Sequence, residues 1–228
     1  MSVQPVPTEL RHLVQSISVE TGTDAPVTVV PDTATGLVFC DGGGVAVTGP
    51  RTRAGYHFGG PARRVVVRLQ PGRAQLLLGR PVGELVDRVV PLHEENGELS
   101  EMLLARLAKR SAREVARSDL AHRAATVLAG DTTVGDAARQ LHVSERQLRT
   151  IFTDAIGLSP KHFARLDRLR AVLARAGRGS WSDLAVAAGF YDQAHLTVEF
   201  RTIMGVPPAA FVSGQLPPAT PCTGSVSA

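Results

Sequence analysis

Residues 148–163 read LRTIFTDAIGLSPKHF and residues 196–211 read LTVEFRTIMGVPPAAF. Leu148, Phe152, Gly157, Pro160 and Phe163 return as Leu196, Phe200, Gly205, Pro208 and Phe211, every pair 48 residues apart. Most of what lies between them changes. Leu148, Ile151, Phe152 and Ala155 stand at i, i+3, i+4 and i+7, the buried stripe of an amphipathic helix. Gly157 follows as a residue able to take positive φ and end that helix. Ser159-Pro160 opens the next one, with proline at a first-turn position where its missing N–H costs nothing. The second copy repeats the scheme with Leu196, Phe200 and Ile203 as the stripe and Gly205, Pro207 and Pro208 as the exit. A skeleton kept twice reads as core, and the residues that differ read as two outward faces.

The segment before each copy completes a unit. Val134, Ala137, Ala138 and Leu141 form a short amphipathic helix, His142-Val143 turns the chain, and Ser144 is placed to accept a bond from an exposed N–H of the following helix. In the second copy Leu184, Ala185 and Ala188 form the short helix and Gly189-Phe190 the turn. Short helix, tight turn and second helix make a helix-turn-helix. A duplicated helical bundle without nucleic acid is the plainer alternative.

The outward faces favour nucleic acid. Arg146, Arg149, Thr150 and Thr153 lie opposite the first stripe, flanked by Gln147. They supply donors suited to base edges and phosphates. On the second helix Ala194, Thr197, Val198 and Arg201 take the equivalent places, beside Gln193 and His195. Small and branched side chains there suit thymine methyl groups, or a helix that rests on the backbone. Residues 144–178 hold eight basic and three acidic side chains, +5 in 35 residues, whereas residues 1–110 balance at +1. The charge is therefore concentrated where the helices are.

Residues 119–213 resemble the paired helix-turn-helix domain of the AraC/XylS family of bacterial transcriptional regulators. The matching residues are A-A…L-x-V-S-x-R-x-L…F…G-x-S-P-x-x-F, here AARQLHVSERQLRTIFTDAIGLSPKHF, and L-A…A-G-F-x-D-Q-A-H-L…F-R…G-x-P-P, here LAVAAGFYDQAHLTVEFRTIMGVPPAAF. The resemblance implies two units joined by one long helix, about Pro160 to Ala176, with the second helix of each unit entering the major groove of promoter DNA. It assigns base reading to Arg146, Gln147, Arg149, Thr150 and Thr153 on the first helix, and to Asp192, Gln193, His195, Thr197 and Arg201 on the second. Phosphate contacts are expected from Ser144, Lys161, Arg165, Arg168 and Arg170. Val198 stands where many family members carry a basic residue. Double-stranded promoter DNA is the implied partner. RNA polymerase, a small-molecule effector and a second copy of the chain are further candidates.

The first half has a different texture. From about 26 to 92 it is rich in Val, Gly and Pro; VTVV, GLVF, GVAVTG and RRVVVRLQPG read as strands broken by DGGG, GPRTRAG and PGR turns. In RRVVVRL, Arg64, Val66 and Arg68 share one face and Val65, Val67 and Leu69 the other, a half-buried strand. The run VVVRLQPGRAQLLLGRPVGELVDRVVPL is similar to the small β-rich sensory domains that precede the DNA-binding module in many family members. The fold class expected is α+β. A barrel-like sensor domain at 1–96, a linker with a dimerisation helix at 97–118, the paired helix-turn-helix domain at 119–213 and a disordered tail at 214–228 make up the chain. The helix carries Leu99, Leu103 and Leu107 on one stripe, which needs the β domain or a second subunit to cover it.

Other chemistry is weakly signalled. Cys40 and Cys222 form neither metal spacing nor a disulfide framework, which suits a reducing cytoplasm. The N-terminus MSVQPVPTELRH lacks the basic flank and apolar core of a secretory leader, and no run approaches the ~18 apolar residues of a membrane span. His57 and His93 stand apart, with His93-Glu94-Glu95 expected as an exposed loop and Gly42-Gly43-Gly44 as a hairpin turn. No metal, cofactor or catalytic group is expected. Tyr56, His57, Arg64 and Arg68 are the candidate lining of a pocket for an anionic ligand, or an exposed sheet face. The expected function is a sequence-specific DNA-binding transcriptional regulator modulated by a small molecule at the first domain. The alternatives are a cupin-like β-barrel enzyme with a DNA-binding tail and a constitutive DNA-binding protein whose β half only dimerises.

Overall fold

The computed structural model describes residues 2–23, 25–41, 44–58, 63–92, 99–130 and 132–221. Gly42, Gly43, His93, Glu94, Glu95 and Cys222, and the end of the expected tail, lie outside them.

Among the described residues the first half forms two open sheets, not a closed barrel. The larger has six strands, β1 (Ser2–Gln4), β2 (Val14–Thr21), β4 (Gly36–Cys40), β5 (Val45–Thr48), β7 (Arg63–Leu69) and β8 (Val89–Leu92), in the order β1-β2-β7-β4-β5-β8, all antiparallel. The smaller pairs β3 (Val27–Val29) with β6 (Gly55–Phe58), and β6 in turn with β9 (Thr220–Pro221). The alternation in RRVVVRL holds over its second half: Val67 and Leu69 are buried, while Val66 and Arg68 on the other face stay partly exposed. The first core gathers Leu10, Leu13, Val14, Ile17, Leu37, Val67, Leu77 and Leu85.

Two short pieces depart from the strand reading. After the Pro71-Gly72 turn, Arg73–Leu78 forms a helix, α1, bounded by Gly72 and Gly79, both with positive φ. The residues 82–85 form a 3-10 turn (Val82–Leu85) that buries Val82 and Leu85.

Helix α2 (Leu99–Ala108) turns its stripe onto this core: Leu103 is 1% exposed, and Leu99 and Leu107 pack beside it. The β half therefore covers the stripe that a second subunit was expected to compete for. Helix α3 (Ala112–Leu128) starts within the expected linker, fixed by a capping box in which Ser111 and Glu114 exchange bonds. Its Ala121, Ala124, Ala125 and Leu128 belong to the helical core.

The two units follow: α4 (Val134–Gln140) with α5 (Glu145–Ile156), then α6 (Pro160–Leu173), then α7 (Trp181–Ala187) with α8 (Gln193–Met204), and finally α9 (Pro208–Val212). The connecting helix α6 ends at Leu173, three residues short of Ala176, and gives way to turns. One core runs through both units, with Leu148, Phe152, Leu196 and Phe200 fully buried. The repeated skeleton makes the same aromatic contact twice, Phe152 edge-on to Phe163 at 5.3 Å and Phe200 edge-on to Phe211 at 5.6 Å. Beyond α9 the chain does not trail away at once. Residues Thr220–Pro221 return to the β half and lie parallel to His57-Phe58 of β6. The stretch expected to be a disordered tail thus makes a strand contact at Thr220–Pro221.

Candidate nucleic-acid interface

The second helix of each unit has its N-terminal turn fixed by a side chain. Ser144 Oγ accepts from Gln147 N–H at 3.2 Å at the head of α5, and Asp192 Oδ1 accepts from His195 N–H at 2.7 Å at the head of α8. Each bond satisfies one of the donors a helix start leaves unpaired. Ser144 and Asp192, placed by sequence among phosphate and base contacts, are thus occupied as caps. Gly157 (φ 83°) and Gly205 (φ 77°) close the helices in the left-handed region, where a side chain would be strained.

On α5 the five residues named from sequence, Arg146, Gln147, Arg149, Thr150 and Thr153, are all exposed on one side, opposite buried Leu148, Ile151, Phe152 and Ala155. Arg149 pairs with Glu145 at 2.9 Å, both side chains about half exposed, so solvent screens the pair. Thr150 donates its hydroxyl back to Arg146 C=O at 3.0 Å. On α8, Gln193, Ala194, Val198 and Arg201 are exposed. Thr197 is half-buried and donates to Gln193 C=O at 2.8 Å. His195 accepts from Tyr191 N–H at 3.4 Å and stands edge-on to Phe190.

Tyr191, just ahead of α8 and outside the set expected from the sequence, is 90% exposed. The signal was present. The short helices α4 and α7 start 47 residues apart, but α5 and α8 start 48 apart. The second turn therefore carries one extra residue, and Val143 N–H to Ala138 C=O in the first unit corresponds to Phe190 N–H to Ala185 C=O in the second. Tyr191 is the residue left over.

The arginines of α6 are half-buried and each has a partner within the protein. Arg165 pairs with Glu199 of α8. Arg168 donates to Gly189 C=O at 3.5 Å, and its guanidinium lies 5.5 Å over the Phe190 ring. Arg170 pairs with Asp32 of the β half at 3.1 Å. All three hold elements of the protein together, because α6 is packed between the two units and the first domain. Lys161 alone of the expected phosphate set on α6 is exposed.

The residues proposed for a pocket do not converge. Arg64 pairs with Glu20 at 2.6 Å, His57 Nδ1 faces Thr220 Oγ1 at 3.3 Å, and Tyr56 donates its hydroxyl to Met204 C=O at 2.6 Å. Burial pushes the Tyr56 phenol up from its ordinary value. Arg68 lines a cavity of about 220 Å³, together with Gln15, His122, Phe163, Asp167 and Arg170 from both halves of the chain. Burial, then the charge of Arg170, brings Arg68 down to about 9, with Asp167 opposing; it also pairs with Asp32. Burial raises the Asp167 carboxyl against the pull of Arg170 and Arg68. Among the described residues no three His, Cys, Asp or Glu side chains gather as metal ligands, and no helix is long and apolar enough to cross a membrane.

Two capped helices with exposed faces, each behind a short helix and a tight turn, have the geometry of a paired helix-turn-helix. Residues 137–213 match a family model described as a helix-turn-helix domain. These residues are an AraC-type helix-turn-helix domain. Residues 2–91, ahead of the AraC-type domain, match a second model, described as a domain of unknown function. Among curated proteins none matches in sequence.

Solved structures similar to the chain include the C-terminal domain of AraT, a response regulator from Geobacillus stearothermophilus (20% identity, TM-score 0.40, covering 43% of this chain and 88% of that one). The DNA-binding domain of AdpA, a global transcriptional factor in complex with a target DNA, is similar at 21% identity and TM-score 0.38, over 43% of this chain and 90% of its own. ToxT from Vibrio cholerae is similar over both halves, at 9% identity and TM-score 0.43, covering 89% of this chain and 98% of that one.

Proposed function

We propose that the protein is a sequence-specific DNA-binding transcriptional regulator in which α5 and α8 each read one major-groove segment, by reversible binding without catalysis. The observation that carries this is the pair of capped helices α5 and α8, exposed on their outward faces and fixed to one shared core. Arg146, Gln147 and Arg149 supply donors with the reach for guanine and adenine edges. Ala194, Val198 and the Thr197 methyl suit thymine methyl groups, and Tyr191 extends that surface. With Arg165, Arg168 and Arg170 engaged inside the protein, phosphate contacts fall to Lys161, Arg201 and backbone N–H groups at the helix starts. The test is footprinting on sites selected from a random library. Two protected major-groove segments per molecule, about one helical turn apart, are expected; a single protected segment defeats the reading.

A small polar effector would act at the cavity between β7, α3 and α6, because its walls come from the sensor half and from the helix that joins the two units. A metabolite panel screened by melting temperature identifies such an effector. DNA-binding curves that coincide with and without every stabilising compound would favour a constitutive binder.

A further inference from the structure

Both reading helices end on the β half, at equivalent places. Gly157 closes α5 with its backbone against Val82, where an added Cβ would stand 3.0 Å from the Val82 carbonyl carbon and oxygen. Forty-eight residues later, α8 ends with Ile203 C=O accepting from Ala54 N–H at 2.9 Å and Met204 C=O accepting from the Tyr56 hydroxyl at 2.6 Å. These carbonyls are among the last four of the helix, which have no N–H partner within it. The first domain supplies what the helix lacks.

The donors are themselves held. Tyr56 belongs to β6, which is paired with β3 on one side and with β9 on the other. The approach to β6 is pinned by Asp87, whose carboxylate accepts from Thr52 N–H at 2.7 Å and from the Thr52 hydroxyl at 2.5 Å. Ala54 and Val86 also pack against the helical core. So the loop before β6 and the turn at 82–87 brace α8 and α5 from one rigid base, at the ends remote from their capped N-terminal turns.

We propose that Tyr56 is a positioning residue for the second reading helix. By tying Met204 to the base on which α5 also ends, it sets the separation of the two reading helices and hence the spacing of the DNA segments the protein accepts. This rests on the DNA-reading function proposed above. Without the tie, the end of α8 is held to the β half by the Ala54–Ile203 bond and by core contacts alone, and a wider range of separations becomes accessible.

The readout is spacing selectivity in the full chain. The best two-segment site is altered by inserting or deleting one base pair between its segments, and affinities are measured for wild type, Tyr56→Phe and Asp87→Gly. Tyr56→Phe removes one oxygen and keeps the ring; Asp87→Gly suits the positive φ at that residue and releases Thr52. The ratio of affinity for the native spacing over the altered ones is expected to fall about 2- to 10-fold in both variants, the range one hydrogen bond sets. Affinity for the first segment alone should stay as in wild type, and melting curves establish that each variant is folded. If Tyr56→Phe does not fold, Asp87→Gly decides. Unchanged spacing ratios with intact DNA binding overturn the positioning role alone. A wild type that binds no two-segment site overturns the DNA-reading function and this role with it.

Discussion

Arg149→Ala on α5 separates base reading from phosphate positioning. In the free protein its guanidinium is 2.9 Å from Glu145, with side chains 52% and 53% exposed. An exposed i,i+4 pair of this kind contributes about 0.3–0.5 kcal/mol. A bidentate contact to guanine is worth about 1–3 kcal/mol of discrimination. The base contact therefore outweighs the ion pair, and Arg149 can leave Glu145 on binding. Removing it should lower preference at one base position by roughly 5- to 150-fold, since 1.4 kcal/mol is tenfold. Binding to non-specific DNA should change little. The assay is selection from a randomised site library at two salt concentrations, with Val198→Ala alongside. If Arg149→Ala weakens every site equally while Val198→Ala alone shifts the preferred sequence, the reading helix has been assigned wrongly.

Arg170→Ala should leave the salt dependence of DNA binding unchanged, because its guanidinium is engaged by Asp32; a phosphate contact would instead lower the log–log slope by about 0.9. Leu103→Ala, at a residue 1% exposed in the first core, should destabilise the chain by about 2–5 kcal/mol, measured by urea denaturation, without changing the preferred DNA site. Asp192→Ala removes the cap of α8 and should cost about 0.5–2 kcal/mol in the same measurement. For pH, burial and then the charge of Arg165 hold the His162 imidazole below its ordinary value, against Asp87 and Glu199. The unfolded chain takes up the proton first, so this contribution is complete above about pH 6.5 and is lost as pH falls below it. His162→Gln should flatten the fall in melting temperature between pH 7.5 and 5.5.

The helical half was legible because its signals are local. The stripe of Leu148, Ile151, Phe152 and Ala155, the caps at Ser144 and Ser159, and the glycine stops at 157 and 205 all lie within one or two turns of the structure they specify. The capping box at Ser111 and Glu114 was equally readable and marks α3 as starting inside what composition suggested was a linker. The β half hid its first strands for a physical reason. Around Gln15 the β2 register shifts against β7, so Val14 and Ile17 are both buried and the simple alternation fails. Helix α1 has six residues, too few to display a 3.6-residue period. The number of basic residues on α6 was visible, but not their partners. Asp32 lies well over a hundred positions from Arg170, and long-range pairing of this kind leaves no mark on composition.

The same distinction bears on the two reading helices. Their cores are interchangeable in outline, since Phe152 against Phe163 and Phe200 against Phe211 repeat one contact. Their approaches are not. The first turn passes directly from Val143 to the cap Ser144; the second inserts Tyr191 before Asp192. An extra residue between a fixed short helix and a fixed cap has to bulge, and with the Phe190 side chain buried, the tyrosine ring goes outward. Arg168 lies over Phe190 and bonds Gly189 C=O, so that bulged turn is held from behind by the connecting helix. Arg168, expected from the sequence to contact phosphate, thus braces the turn that presents Tyr191 ahead of α8.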